Sequence, residues 1–271
     1  MAREEEGVWS RRFHPSRDAG AELVCFPHAG GSAAYWFGLS RLLTPRVEVA
    51  AVQYPGRQDR YREEPVGDLH VLADRIADAL PPPGARPRLF LGHSMGASLA
   101  YEVAVRLARR PGRGPAALLV SGRPAPSRHR TGADRPLDDR ALLARVRALG
   151  GTDAGLLDDP EMRELVLPVL RADHGALAAY RPTAVSPLSC PVVGLTGERD
   201  TEATPEEVAA WAAHTTGSFA LRIFPGGHFF LTDHLADVAD LVTGLASAPE
   251  PGSGSGPESG PGAARARALR A

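Results

Sequence analysis

Gly92-His93-Ser94-Met95-Gly96 decides the fold of this chain because of the segments on either side of it. A short apolar run, residues 87–91, precedes it and is typical of a buried strand. A helical pattern without proline or glycine, residues 97–107, follows it. A G-x-S-x-G pattern between a strand and a helix predicts a nucleophile elbow, a tight turn that presents the serine hydroxyl to a cleft. Glycine is expected at both ends of the motif, where a side chain would strike the neighbouring strand or helix.

Composition excludes several classes of function. The 271 residues are 43% hydrophobic and carry a formal net charge of −1, which predicts one substantial core and no electrostatic basis for binding nucleic acid or membranes. All 31 basic residues are arginine, so Schiff-base chemistry on lysine and a phosphate-loop lysine are excluded. The two cysteines, Cys25 and Cys190, have neither the number nor the spacing of a disulfide framework or a zinc site.

The termini and the hydropathy pattern bear on localisation. The first residues lack the basic and apolar regions of a secretory signal, and no apolar stretch approaches the roughly 18 residues of a membrane-spanning helix. We therefore expect a cytoplasmic protein.

Apolar runs and helical patterns alternate along the chain. The runs predict strands at 22–26, 47–52, 116–121, 191–196 and 219–224. Helical patterns separate them at 33–43, 68–80, 205–214 and 231–245. This alternation predicts an α/β fold with a mostly parallel, doubly wound sheet. Ligands of such sheets bind beyond the carboxyl ends of the strands, which is where the motif serine falls.

The interval between Ser121 and Pro191 is too long for a loop and contains two helical patterns. Asp138-Asp139 is expected to cap the first, which carries Leu142, Leu143, Val146 and Leu149. A stripe predicts the second, with a kink at Pro168: Met162, Leu165, Val166, Val169 and Leu170. We predict a helical lid insertion at about residues 124–188 because insertions at strand carboxyl ends face the cleft. The alternative is a pair of helices packed elsewhere.

The lid is predicted to belong to a single domain, residues 1–248. Beyond it, residues 249–271 consist mainly of Pro, Gly, Ser, Glu, Ala and Arg, with almost nothing to bury. This composition predicts a disordered tail.

A serine nucleophile needs a base, and the base needs an orienting acid. His228 lies in a glycine-lined loop after a predicted strand, and Asp200 follows another strand directly. Ser94, Asp200 and His228 therefore occur in the order that α/β-hydrolases require, and we predict that they form a catalytic triad. Glu198, Glu202 and Asp233 are alternative acids, whereas residues 121–124, at the strand before the lid, offer no carboxylate. His93, His214 and His234 are expected to serve in packing or at the surface.

The oxyanion formed during acyl transfer needs two preorganised donors. One is expected from the backbone N–H of Met95, the residue after the nucleophile. The other is expected from the turn after the first predicted strand, residues 26–32, and we assign it to the N–H of Ala29. On the residues alone the reaction is acyl transfer to water through an acyl-serine, and the bond broken is an ester, a thioester or an amide.

Five motifs resemble those of the type II thioesterases of polyketide and non-ribosomal peptide assembly lines. They lie at residues 26–32, 53–59, 92–96, 197–200 and 225–229, within a similarity that runs from about residue 9 to 245. The resemblance implies an α/β-hydrolase fold and hydrolysis of acyl groups from the 4′-phosphopantetheine arm of acyl or peptidyl carrier proteins. It implies no cofactor beyond that arm and a protein able to act as a monomer.

Two other functions remain open at this point: a general carboxylesterase or lipase, and a non-catalytic module that binds carrier proteins. Carrier proteins are generally acidic, so we consider a basic docking rim against the alternative of an ordinary solvated surface. Its candidate residues lie in loops: Arg57, Arg60, Arg62, Arg123, Arg128 and Arg130.

Overall fold

The computed structural model describes residues 7–128, 137–150, 158–183 and 187–247. Within these ranges one sheet of seven strands has the order β1-β3-β2-β4-β5-β6-β7, and only β1 is antiparallel to its neighbour. The mostly parallel, doubly wound sheet predicted from the sequence is confirmed. The strands are β1 (Ser10–Arg11), β2 (Ala21–Phe26), β3 (Val47–Val52), β4 (Arg88–His93), β5 (Ala117–Ser121), β6 (Val192–Gly197) and β7 (Phe219–Phe224).

Seven α-helices that lie wholly within the described residues accompany the sheet. They are α1 (Phe37–Leu43), α2 (Leu69–Ala79), α3 (Met95–Ala108), α4 (Asp139–Leu149), α5 (Pro160–Ala179), α6 (Pro205–Ala209) and α7 (Leu235–Ala246). Side chains of α2, α3 and α6 share one buried core, and those of α1 and α7 share the core on the other face of the sheet. Among these helices, none has the length and apolar character that crossing a bilayer requires.

Strand β2 shows how the sequence builds both cores. Val24 and Phe26 belong to the core that contains α2 and α3, whereas Leu23 and Cys25 belong to the opposite one. Successive side chains of a strand point to opposite faces, so a continuous apolar run is what a sheet covered on both sides requires.

Several predicted elements differ in detail. The two-residue β1 was missed because so short a strand has no periodicity to detect. The helix predicted at 33–43 begins with a 3₁₀ turn at Ala33–Trp36, and the helix predicted at 205–214 is α-helical only to Ala209. The last helix begins at Leu235, after a 3₁₀ turn at Phe230–Thr232. Hydrophobic spacing does not distinguish a 3₁₀ turn from the first turn of an α-helix.

The insertion between β5 and β6 contains α4 and α5, which share a small core of their own built from Leu142, Leu143, Val146 and Leu170. Asp138 caps α4 as predicted, accepting a hydrogen bond from the backbone N–H of Ala141. Helix α5 continues through Pro168 as one element, and the kink expected at this residue stays a prediction. Leu165, predicted in the apolar stripe, is 61% exposed. The predicted tail, residues 249–271, lies outside the described residues, and the domain limits stay a prediction.

The first turn of α3 lies so close to β2 and to β4 that two positions accept only glycine. A Cβ atom on Gly96 would lie 2.0 Å from the carbonyl oxygen of Phe26, and one on Gly92 would lie 2.1 Å from that of Gly96. Both obstacles are backbone atoms, which cannot rotate aside. The two motif glycines are therefore steric requirements of the fold.

We expect Gly96→Ala to lower the free energy of unfolding by about 3 kcal/mol or more, because strand and helix must separate to admit the methyl group. Urea unfolding measures this change. Gly244→Ala is the matched control, since a Cβ atom there meets nothing within 4 Å, and we expect it to raise stability by about 0.5–1 kcal/mol. A wild-type unfolding midpoint for Gly96→Ala would contradict the steric account.

Candidate active site

Ser94 lies between β4 and α3 in a strained backbone conformation. Its φ of 55° and ψ of −118° are unusual for a residue with a side chain. Its backbone N–H donates to the carbonyl of Ser121, at the end of the neighbouring strand, over 2.8 Å. Strain of this kind persists only where the surroundings over-determine it, and it is what a nucleophile elbow requires.

The structure brings Ser94, His228 and Asp200 into one hydrogen-bonded chain. Nε2 of His228 lies 3.0 Å from Oγ of Ser94, and Nδ1 lies 2.9 and 3.0 Å from the two carboxylate oxygens of Asp200. Oδ1 of Asp200 also accepts from the backbone N–H groups of Glu202 and Ala203, at 2.8 and 3.2 Å. An acid held in this way fixes the imidazole with Nδ1 as donor and Nε2 as acceptor toward the serine.

Glycines at the ends of β6 and β7 make this approach possible. A Cβ atom on Gly197 would lie 2.3 Å from the carbonyl oxygen of Gly227, so the loop before His228 packs directly on the strand that leads to Asp200. Gly226 has φ +127°, a conformation that L side chains rarely adopt. The glycine-lined loop noted in the sequence therefore sets the distance between base and acid.

Two of the alternative acids have other partners. Glu202 pairs with Arg145 of α4, and Glu198 pairs with Arg199. Neither carboxylate is among the hydrogen-bond partners of His228, whereas both oxygens of Asp200 are.

The two proposed oxyanion donors adjoin the nucleophile. Met95 is the first residue of α3, and Ala29 lines the same cavity as Ser94 and His228. Ala29 is followed by Gly30, whose φ is +76°. The position of both residues fits the assignment made from the sequence, and their role as donors stays a prediction.

Two further histidines surround the base and are buried. His28 is 7% exposed and His93 is fully buried, with its ring centroid 5.0 Å from that of His228. Burial lowers the pKa of His28 to about 3, and the charges of His228 and Arg57 add to this effect. Burial, followed by the charge of His228, also holds the pKa of His93 well below its ordinary value. Both stay neutral, so neither places a positive charge beside the ring of His228.

His28 was missed in the sequence analysis as a part of the site. The available signal was its place in the turn assigned to the oxyanion, directly before Ala29. His93, expected to serve in packing, has Nδ1 3.0 Å from Oγ of Ser121.

Both helices of the insertion contribute to the cavity at Ser94. Helix α4 supplies Arg145, Val146 and Leu149, and helix α5 supplies His174 and Leu177. The remaining wall consists of His28, Ala29, Arg123, Glu202, His228 and Phe229. The insertion thus forms part of the wall of the cavity at Ser94, as expected of a lid, and the cavity combines apolar side chains with charged groups.

Comparison with known proteins identifies the family. Residues 21–245 match the family model described as a thioesterase domain. The chain belongs to the thioesterase family. This thioesterase is 46% identical over 240 residues to Thioesterase PikA5 of Streptomyces venezuelae, a match that covers 88% of this chain and 85% of that protein. It is 48% identical over 227 residues to a probable cadicidin biosynthesis thioesterase of Streptomyces griseus, covering 84% of this chain but 63% of that protein.

Solved structures give the same result. The RedJ thioesterase of the prodiginine pathway in Streptomyces coelicolor superposes with a TM-score of 0.78 at 40% identity, covering 86% of this thioesterase and 88% of that chain. The type II thioesterase BorB from the borrelidin biosynthetic cluster superposes with a TM-score of 0.81 at 42% identity, covering 88% and 98%. The resemblance to type II thioesterases and the α/β-hydrolase fold are confirmed, and the protein is a thioester hydrolase.

The basic docking rim needs a correction. Arg57 and Arg60 are each only 6% exposed, because they form buried or half-buried ion pairs with Asp173 and Glu63. They cannot form part of an exposed surface. Arg62 and Arg128 are exposed, Arg123 lines the cavity, and Arg130 lies outside the described residues. The burial of Arg57 and Arg60 could not be predicted from the sequence, since an arginine in a loop is normally solvated.

We expect the thioesterase to lose stability in mild acid through His28. Its pKa is lower in the folded chain than the ordinary 6.5, so the unfolded chain binds the proton more readily. The contribution of His28 is complete above pH 6.5 and is lost as the pH falls from 6.5 toward about 3, by about 1.4 kcal/mol per pH unit. Urea unfolding at about pH 7.5, 6 and 5 measures the slope.

His28→Gln provides the comparison. Because glutamine does not titrate, the variant is expected to lose about 1.4 kcal/mol less per unit between pH 6.5 and 5. Its stability at about pH 7.5 reports the cost of altered packing separately. Parallel pH slopes for variant and wild type would contradict a neutral buried His28.

Proposed function

We propose that Ser94, His228 and Asp200 hydrolyse acyl thioesters carried on the 4′-phosphopantetheine arm of carrier proteins, through an acyl-serine. The observation that carries this proposal is the continuous contact from Asp200 through His228 to Oγ of Ser94, at 2.9 and 3.0 Å, beside a cavity that Ser94 and His228 line together with both helices of the insertion. Membership of the thioesterase family supports a thioester as the bond that is broken, and the contact with His228 supports Ser94 as the nucleophile.

Acylation begins when Nε2 of His228 takes the proton of Ser94 as the serine oxygen attacks the thioester carbonyl. The carbonyl oxygen becomes an oxyanion, which accepts hydrogen bonds from the N–H groups of Met95 and Ala29. The C–S bond then breaks, and the departing thiolate takes the proton held by His228. The products are a pantetheine thiol and an acyl ester on Ser94.

Deacylation repeats these steps with water in place of the serine. His228 takes a proton from water as the water oxygen attacks the acyl ester. The ester C–O bond to Ser94 then breaks, His228 returns the proton to Oγ of Ser94, and the carboxylic acid leaves. Asp200 stabilises the imidazolium in both halves and holds its tautomer. No bound cofactor takes part. Because thiolates leave readily, we expect deacylation to limit turnover.

The chemistry of the relatives supports carrier-bound substrates. The type II thioesterase BorB belongs to the borrelidin biosynthetic cluster, and a protein 34% identical to this chain is described as the gramicidin S biosynthesis protein GrsT of Aneurinibacillus migulanus. Assembly lines of this kind keep their intermediates as thioesters on carrier domains. We propose acyl or peptidyl carrier proteins as the partners and the cytoplasm as the compartment.

We expect Ser94→Ala to lower kcat/KM for an acylated carrier protein by about 10⁴-fold or more, because no other group can form the acyl-enzyme. Asp200→Asn is expected to lower kcat by about 10⁴-fold through the wrong tautomer of His228. Thiol release measures both rates. Ser127→Ala is the control, since its exposed hydroxyl contacts His214 outside the site.

Two substrates separate the candidate functions. An enzyme for carrier-bound thioesters is expected to prefer an acylated carrier protein to a nitrophenyl ester of the same acyl group, whereas a general carboxylesterase would not. Failure of a fluorophosphonate to label Ser94 would favour a non-catalytic module.

Carrier docking through the exposed arginines has its own test. We expect Arg62→Glu/Arg128→Glu to raise KM for the carrier protein several-fold and to leave hydrolysis of a small pantetheine thioester unchanged, because only the carrier protein contacts this surface. Equal effects on both substrates, or none, would assign these arginines to an ordinary solvated surface.

A further inference from the structure

Asp173 is a buried acid of the lid that contacts the oxyanion turn directly. It lies on α5 and is 2% exposed. Its Oδ2 accepts a hydrogen bond from the backbone N–H of Gly30 over 2.7 Å and a second one from the guanidinium of Arg57. Gly30 is the residue after Ala29, so this acid holds the peptide bond that adjoins the proposed donor.

A second side chain of α5 meets the same turn. A Cβ atom on Gly30 would lie 2.5 Å from Cδ2 of Leu170, three residues before Asp173 on the same face of the helix. Helix α5 therefore contacts Gly30 through both an apolar and a charged group. The position of the turn depends on where this helix lies.

Arg57 connects Asp173 to the rest of the turn. Its guanidinium donates to the carbonyl of Pro55 over 2.7 Å and lies 5.1 Å from the ring centroid of Tyr54. The hydroxyl of Tyr54 donates to the carbonyl of Pro27 over 3.1 Å. The turn is thus held at Pro27 from one side and at Gly30 from the other, with Ala29 between the two points.

Charge explains why the acid is paired. A carboxylate near the oxyanion would oppose the negative charge that develops there, and the opposition would be strong in a water-poor site. The guanidinium of Arg57, itself 6% exposed, cancels that charge. Asp173 can then act as an acceptor for Gly30 without raising the energy of the oxyanion.

We propose that Asp173 is a positioning residue that orients the Ala29–Gly30 peptide and, through it, the N–H of Ala29 toward the oxyanion. A peptide unit is planar, so fixing the N–H of Gly30 restricts rotation about the backbone of Ala29. The lid helix and the oxyanion hole then form one unit, and the hole is complete only with α5 in place. This inference rests on the proposed function, which supplies the role of Ala29.

The test compares Asp173→Ala with Asp173→Asn, which keeps an acceptor oxygen. Turnover of a short acyl pantetheine thioester gives kcat and KM, and inhibition by an alkylboronic acid reports affinity for a tetrahedral adduct on Ser94. We expect Asp173→Ala to lower kcat by about 10–100-fold, part of the cost of a lost oxyanion donor, with KM within about threefold of wild type. Boronate affinity should fall with kcat, and Asp173→Asn should recover most of both.

A double variant separates positioning from stability. Removing one partner of a buried ion pair leaves the other charge uncompensated, whereas replacing both partners by apolar groups removes that penalty. We expect Arg57→Met/Asp173→Leu to melt at a higher temperature than Asp173→Ala, yet to keep its low kcat and weak boronate binding. This variant also serves if Asp173→Ala does not fold.

Asp139→Ala is the matched control in the same lid. It breaks the exposed ion pair between Asp139 and Arg171, and Arg171 lies two residues before Asp173 on α5. It should retain wild-type kcat. The proposal is overturned by wild-type kcat in the double variant, by equal losses in the alanine and asparagine variants, or by an equal loss in Asp139→Ala. Activity retained in Ser94→Ala would instead overturn the proposed function.

Discussion

One backbone contact determines how this active site is built: the first turn of α3 rests against the end of β2. The backbone of Gly96 packs directly against the carbonyl of Phe26, because a Cβ atom on Gly96 would lie 2.0 Å from that oxygen. Because the turn from Pro27 to Ser32 begins at that carbonyl, the same contact places the proposed oxyanion turn beside Ser94. The strained backbone of the serine follows from this closeness, since the chain must reverse between β4 and α3 without room for side chains. Nucleophile, oxyanion turn and sheet are therefore positioned together.

Much of this arrangement was predictable because the informative features are local. The pattern around Ser94, the glycines before His228 and the strand that leads to Asp200 all carry their signal within a few residues. The order of these motifs then predicted which strand ends meet. Chain order also predicted that the insertion between β5 and β6 would cover the cleft. The limits of the helices were less predictable, because 3₁₀ turns such as Ala33–Trp36 share the spacing of an α-helix.

Buried charge was the part that sequence could not reveal. Arg57 and Asp173 are 116 residues apart, and Glu102 accepts hydrogen bonds from Tyr180 and Thr183, which lie 78 and 81 residues away. Nothing in the sequence near Arg57, Asp173, Tyr180 or Thr183 indicates these partners. Burial alone would raise the pKa of Glu102, but hydrogen bonds from Thr183, Tyr180 and Arg106 together outweigh it and hold the pKa below its ordinary value. Because the chain contains arginine but no lysine, residue type did not distinguish the buried cations from the solvated ones.

The lid is attached to the rest of the molecule in two different ways, and the carboxylate of Glu102 forms one of these attachments. Tyr180 and Thr183, which follow α5, donate hydrogen bonds of 2.6 to 3.0 Å to this fully buried carboxylate, which belongs to α3, the helix that follows Ser94. Helix α4 is joined to its surroundings by the Arg145–Glu202 pair, whose side chains remain about 30% exposed, and by the small core it shares with α5. Dissolved ions weaken exposed pairs far more than buried ones. We therefore expect high ionic strength to weaken the attachment of α4, whereas the segment that follows α5 stays bound to α3 through Glu102.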